Sequence, residues 1–162
     1  MRLKIATLIV LLGVLPGVGA HAGELSLLLN GKAIHLDRLP GDNFNEANWG
    51  GGLQYDWDRT GRTWVPFLSV FGFRDSVNQP SYFAGGGYLR RWRLNKTWHA
   101  DTGWVAFFMT LQDYDGGRPF PGILPAFSLG TDRVSLNATY IPRVDPKIVE
   151  LVFLQLKIRL SR

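Results

Sequence analysis

The stretch Val152-Phe153-Leu154-Gln155-Leu156-Lys157-Ile158-Arg159-Leu160 alternates residue by residue. Val152, Leu154, Leu156, Ile158 and Leu160 form one aliphatic row, and Gln155, Lys157 and Arg159 stand in the other. Successive side chains of a β-strand point to opposite faces of its sheet, so one face meets an apolar medium and the other a polar one. The preceding run repeats the pattern: Val134, Leu136, Ala138 and Tyr140 alternate with Ser135, Asn137 and Thr139. A lipid-facing row against a polar lumen is the pattern of a membrane β-barrel.

Similar runs recur upstream. Leu25–Leu36, Trp49–Trp57, Trp64–Phe73, Tyr82–Arg93, Trp98–Thr110, Gly122–Gly130, Arg133–Ile141 and Ile148–Leu160 make eight expected strands. Eight is an even number, as bacterial single-chain barrels have, and most runs approach the roughly 9–11 residues that a tilted strand needs to cross hydrocarbon. The short connections Asp58–Thr63, Leu94–Thr97 and Thr131-Asp132 alternate with the mostly longer Asp37–Asn48, Arg74–Ser81, Leu111–Pro121 and Pro142–Lys147. Short periplasmic turns and longer extracellular loops alternate in this way. Nineteen glycines and 13% aromatic residues suit many strands and tight turns. Trp49, Trp57, Trp64, Trp92, Trp98 and Tyr140 fall near strand ends, where interfacial girdles sit. The expected fold is all-β: an eight-stranded antiparallel transmembrane β-barrel.

Two runs depart from simple alternation. Trp64–Phe73 sets Val65, Phe67, Phe71 and Phe73 against Trp64, Leu68 and Val70; Trp98–Thr110 sets Trp104, Ala106 and Phe108 against Val105, Phe107 and Met109. A water-filled lumen does not call for apolar residues on both faces, whereas an acyl-binding interior does. A sandwich or lipocalin-like core would give the same pattern.

The N-terminus reads as a secretory signal: Arg2 and Lys4, the apolar run Ile5 to Leu15, then Ala20-His21-Ala22 as a small-x-small cleavage site. The apolar run falls short of the roughly 20 residues of a spanning helix. The expectation is a signal peptide over 1–22 and one barrel domain over 23–162. There is no cysteine, hence no disulfide or lipoprotein anchor. The formal charge is +5, about +3 once Arg2 and Lys4 are set aside. That balance suits anionic lipid headgroups and, with no nucleic-acid motif present, gives no case for a nucleic-acid partner.

The expected topology brings three reactive side chains to one rim. His35 ends the first strand, while Asp75 and Ser76 follow the third in the tetrad Phe73-Arg74-Asp75-Ser76. Imidazole removes a proton from an attacking hydroxyl, a carboxylate orients the imidazole, and a serine hydroxyl acts as nucleophile or oxyanion donor. An Asp-Ser pair after a strand also forms ordinary turns, so both readings stand at this point.

Five ordered segments carry a resemblance: Asn48-Trp49-Gly50-Gly51-Gly52, Phe73-Arg74-Asp75-Ser76, Ala84-Gly85-Gly86-Gly87, Ile123-Leu124-Pro125 and Thr139-Tyr140-Ile141-Pro142. In order and spacing they resemble the PagP family of outer-membrane lipid A palmitoyltransferases. The resemblance implies an eight-stranded barrel in the outer membrane. It implies transfer of a palmitoyl chain from the sn-1 position of a glycerophospholipid to a hydroxyacyl chain of lipid A, by a monomer without metal or cofactor. It makes Asp75 and Ser76 the family's acid–alcohol pair and His35 its histidine. Gly87 becomes the floor of the acyl pocket, since a glycine leaves room for a longer chain; a glycine that permits strand bending is the other reading. Pro125 and Pro142 match prolines beside a lateral opening for phospholipid, because proline withholds a ladder donor. A second such seam is not reproduced, since Asn30 and Asn48 stand there. The cut after Ala22 leaves no room for the family's amphipathic helix, so a divergent member is expected. Two other readings use the same barrel: a lipid A deacylase or outer-membrane lipase, and a non-catalytic structural barrel.

Overall fold

The computed structural model describes residues 23–36, 44–112, 114–143 and 150–160. The expected signal peptide lies outside them, as do most of the first long connection and part of the last. Eight antiparallel strands follow one another around a closed barrel: β1 Glu24–His35, β2 Ala47–Asp56, β3 Trp64–Arg74, β4 Pro80–Arg93, β5 Trp98–Met109, β6 Phe120–Thr131, β7 Val134–Ile141 and β8 Leu151–Arg159. The ring closes where β8 returns to β1, from Ser26 opposite Arg159 to His35 opposite Leu151. Closure gives every strand a paired neighbour on each side, the arrangement by which strands span a membrane.

The expected facing of the last strands holds. Leu136 and Leu156 are exposed on the outside, while Ser135, Gln155 and Lys157 are buried in the lumen. Leu53, Leu68, Val70, Phe108, Ile123, Phe127 and Leu129 continue the outer apolar band, and Trp49, Trp64, Trp92 and Trp98 lie exposed near strand ends. A soluble monomer does not expose contiguous apolar surface on this scale.

One expectation about connections changes. The third strand runs on to Arg74 and the fourth begins at Pro80, so their connection shrinks to 75–79, shorter than 57–63 at the opposite end. Asp75 tightens it: Oδ1 accepts from the backbone N–H groups of Val77 (3.1 Å) and Gln79 (2.8 Å). Asn78 turns the chain at φ 62, a conformation that asparagine tolerates.

The lumen is layered. At the end holding the turns 57–63 and 94–97 lies a set of buried ion pairs. Asp56 meets Lys157, and Arg91 grips Asp101 with two bonds of 2.8 and 2.9 Å. Arg159 meets Glu24 at 2.8 Å. Arg59 folds in from its turn, where burial and then the neighbouring Arg91 hold its pKa below the usual guanidinium value. Buried charges persist only when paired in this way. Above this layer, Phe67, Leu89, Val105 and Phe107 form an apolar core, with Phe83, Met109, Phe120, Leu124 and Ala126 packed against it. The apolar character expected on both faces of the third and fifth strands is therefore the lipid-facing band on the outside and an interior wall on the inside.

Candidate active site

His35 faces inward because the first strand is irregular. Asn30 and His35 are both buried, although an odd spacing in a regular strand would put them on opposite faces. The register shifts between Asn30 and Lys32 against both neighbouring strands. That bulge restores Ala33 and His35 to the lumen and leaves Lys32 exposed outside.

Ser76 arrives from the third hairpin. Its Oγ lies 2.9 Å from His35 Nε2, within hydrogen-bond distance. Phe44 stacks on the imidazole, with centroids 4.6 Å apart and planes 17° apart. Asn45 fastens this approach to the hairpin: its backbone N–H donates to Ser76 O (2.8 Å) and its Nδ2 to Asp75 O (3.1 Å). Glu46 Oε1 lies 3.9 Å from His35 Nδ1. Phe44-Asn45-Glu46 escaped the sequence reading. Its available signal was parity, since Glu46 continues the inward row of Asn48, Gly50, Gly52, Gln54 and Asp56.

Asp75 is buried beside Ser76 but turned to its own loop. Besides the two N–H groups noted above, its Oδ2 accepts a bond from Ser81 Oγ at 3.1 Å. Among the described residues, its carboxylate bonds to Val77, Gln79 and Ser81 and not to His35. The structure thus unites His35 with Ser76 and places Asp75 as the residue that shapes the loop carrying the serine.

His35, Asp75 and Ser76 line the mouth of a cavity of about 440 Å³ that runs into the apolar core. That volume is within the usual range of small-molecule pockets, roughly 300–1,000 Å³. Phe71 stacks on Phe83 with centroids 4.4 Å apart, and Phe83 on Phe107 at 5.0 Å, building an aromatic wall. Phe67, Leu89 and Val105 line its deeper part. Polar lumen groups elsewhere satisfy one another. Gln155 Nε2 donates to Asn30 Oδ1 at 2.6 Å, and Asn30 Nδ2 reaches Gly72 O at 3.2 Å across the bare face of Gly50. A Cβ on Gly50 would lie 2.0 Å from that same oxygen.

Gly87 is inward and buried, paired between Phe67 and Val105, but it is not among the residues lining the cavity. A Cβ there would lie 1.9 Å from the backbone oxygen of Trp104. The fourth and fifth strands approach too closely at this point to admit a side chain.

The barrel wall is incomplete on one side. The sixth strand pairs with the fifth along its whole length, but with the seventh only from Ala126 opposite Thr139 to Gly130 opposite Ser135. Pro125 stands immediately beyond the last pair, and Pro142 directly follows the seventh strand. The cavity reaches this gap, bounded there by Gly122, Leu124, Ile141 and Pro142. The first two strands, by contrast, stay paired out to Lys32 and Ala47, and Ala33 N–H donates to Glu46 O at 3.0 Å. Asn30 and Asn48 point inward within that closed seam, Asn48 donating to Arg74 O at 2.6 Å.

A closed eight-stranded barrel with an apolar outer band, an apolar cavity and a histidine–serine pair at its mouth defines a membrane-spanning barrel built for acyl chemistry on lipids. Residues 31–156 match the family described as antimicrobial peptide resistance and lipid A acylation protein PagP. The lipid A acyltransferase PagP of Bordetella pertussis (strain CS) is 37% identical over 129 residues, covering 75% of this chain and 69% of its own length. That of Legionella longbeachae serogroup 1 (strain NSW150) is 31% identical over 126 residues, covering 74% and 54%. Among solved structures, Neisserial surface protein A is similar at a TM-score of 0.48 and 14% identity, over 86% of this chain and 96% of that one. The chain belongs to the PagP family, and an outer-membrane location goes with that membership.

Proposed function

We propose that this barrel is a lipid A acyltransferase that moves a palmitoyl chain from a glycerophospholipid to a hydroxyl of lipid A, acting as a monomer without a cofactor. The observation that carries the reading is the 2.9 Å contact between His35 Nε2 and Ser76 Oγ at the mouth of an apolar cavity. The phospholipid approaches through the gap beside Pro125 and Pro142 and lays its acyl chain along the aromatic wall. Its ester carbonyl then comes to rest near Ser76. The attacking hydroxyl yields its proton to His35 Nε2 as its oxygen bonds to the carbonyl carbon. The lysophospholipid oxygen leaves with that proton. Ser76 serves as nucleophile in a two-step transfer or as hydrogen-bond donor to the developing oxyanion. Asp75 holds the loop that presents Ser76. Phe67, Leu89 and Val105, which surround Gly87, line the deeper part of the cavity, and this depth sets the preference for palmitate.

The test is expression in a strain lacking such an activity, followed by mass spectrometry of its lipid A. The expected product carries one added palmitoyl group, absent with His35→Ala or Ser76→Ala. Loss of an acyl mass would assign hydrolysis instead, and unchanged lipid A would overturn both enzymatic readings.

A further inference from the structure

The geometry points to Glu46 as the carboxylate that positions and charges His35, an office that Asp75 does not fill; this rests on the reading of His35 as the catalytic base. Three observations converge. Glu46 Oε1 stands 3.9 Å from His35 Nδ1, on the opposite side of the ring from Ser76, and the histidine side chain is fully buried. The separation is that of an ion pair rather than a hydrogen bond. Secondly, Glu46 is held there by its neighbours: Phe44 fixes the ring plane and Asn45 locks the segment to the backbone of Asp75 and Ser76. Thirdly, the bonds that Asp75 makes are to Val77, Gln79 and Ser81, which commits its carboxylate to the hairpin.

The chemistry needs such a group. A base that accepts a proton at Nε2 must carry its own proton at Nδ1, and a carboxylate facing Nδ1 selects that tautomer. It also stabilises the imidazolium formed when the attacking hydroxyl is deprotonated. Among the described residues, the charged groups on the elements around the ring are Glu46, Lys32 (3.6 Å from Glu46), Asp75, Arg74 and Glu150. Among the described residues, Glu46 is the carboxylate in ion-pair contact with His35. It is a positioning residue, acting through the imidazole.

The decisive measurement is the tautomer and titration of His35, followed by nitrogen-15 NMR on the histidine-labelled full barrel in detergent micelles. Wild type, Glu46→Gln, Glu46→Asp and Asp75→Asn are compared. Wild type is expected to hold the proton on Nδ1. Glu46→Gln is expected to lower the His35 midpoint by about one pH unit or more, the effect of losing an opposite charge at this range. Glu46→Asp recovers part of the shift, and Asp75→Asn moves it less than Glu46→Gln does. In the transfer assay, Glu46→Gln lowers kcat about 10–100-fold with KM for the phospholipid unchanged, and the acid limb of the rate profile moves to lower pH. An unchanged His35 midpoint in Glu46→Gln, or a larger shift in Asp75→Asn, overturns the assignment. The NMR arm needs no turnover. The expected shift in a barrel that transfers nothing would reject the acyltransferase reading alone, and transfer without the shift would reject Glu46 alone.

Discussion

His35 and Ser76 stand 41 residues apart in the chain and meet at 2.9 Å because an irregular strand and a tight hairpin converge on one rim. The bulge between Asn30 and Lys32 turns the histidine inward. The Asp75 carboxylate closes the hairpin so that Ser76 faces it. Neither side chain reaches the other by local sequence alone.

Removal of either member of the pair is expected to lower kcat by about 10²–10⁴-fold. Groups that act as one unit lose activity non-additively, so His35→Ala with Ser76→Ala should be little worse than either single change. Reconstituted protein with radiolabelled phospholipid and lipid A gives the rates, and heat-modified gel mobility confirms the folded barrel. Fully additive losses would show that the two residues act independently.

The strands were legible because lipid imposes a period of two on every span, and Leu154–Leu160 displays it without interruption. The interior wall was legible as the rows of Phe67, Phe71, Val105 and Phe107, which a water-filled lumen would not hold. The role of Glu46 was not legible. Parity gives its inward side, but its distance to His35 depends on the bonds from Ala33 N–H to Glu46 O and from Asn45 N–H to Ser76 O, which no periodic pattern encodes. The ionic layer was hidden for a similar reason. Asp56 and Lys157 are 101 residues apart, and each alone reads as an ordinary inward polar residue.

The depth of the cavity should set the length of the transferred chain. Leu89 is buried at its deeper end with Phe67 and Val105. Leu89→Ala should extend the cavity and shift transfer toward chains longer than palmitate, at a stability cost near the low end of the roughly 2–5 kcal/mol typical of such truncations. Gly87→Met should shorten the accepted chain and also reduce the yield of folded barrel, because its Cβ meets the Trp104 oxygen. Gas chromatography of chains transferred from mixed phospholipid vesicles reads both effects. An unchanged chain profile in both variants would place the length limit elsewhere.

The gap between the sixth and seventh strands should be the route of lipid access. The chain contains no cysteine, so a designed pair is free of competitors. Leu124→Cys with Ile141→Cys falls on the register extended beyond Ala126 and Thr139. Oxidation of that pair should close the gap and abolish transfer, and reduction should restore it. Leu129→Cys with Leu136→Cys bridges a stretch already paired and should leave transfer intact in either state. Full activity in the oxidised first variant would move the access route to the barrel mouth.

The ionic layer should stabilise the barrel without contributing to chemistry at the other end. Asp56 is fully buried against Lys157, and Gln54 Nε2 donates to its other oxygen at 3.0 Å. Asp56→Asn leaves the buried ammonium without its counter-charge, a loss of roughly 3–5 kcal/mol for such pairs. Replacing both partners with apolar residues of similar size, Asp56→Leu with Lys157→Met, should recover most of that stability, since the desolvation cost of both charges disappears together. Urea unfolding in micelles, followed by tryptophan fluorescence, measures the two changes. Transfer should persist in both variants below their unfolding midpoints, because Asp56 and Lys157 lie outside the cavity that holds His35 and Ser76. If Asp56→Asn unfolds at the wild-type urea concentration, lumen water screens the pair and the layer does not stabilise the barrel.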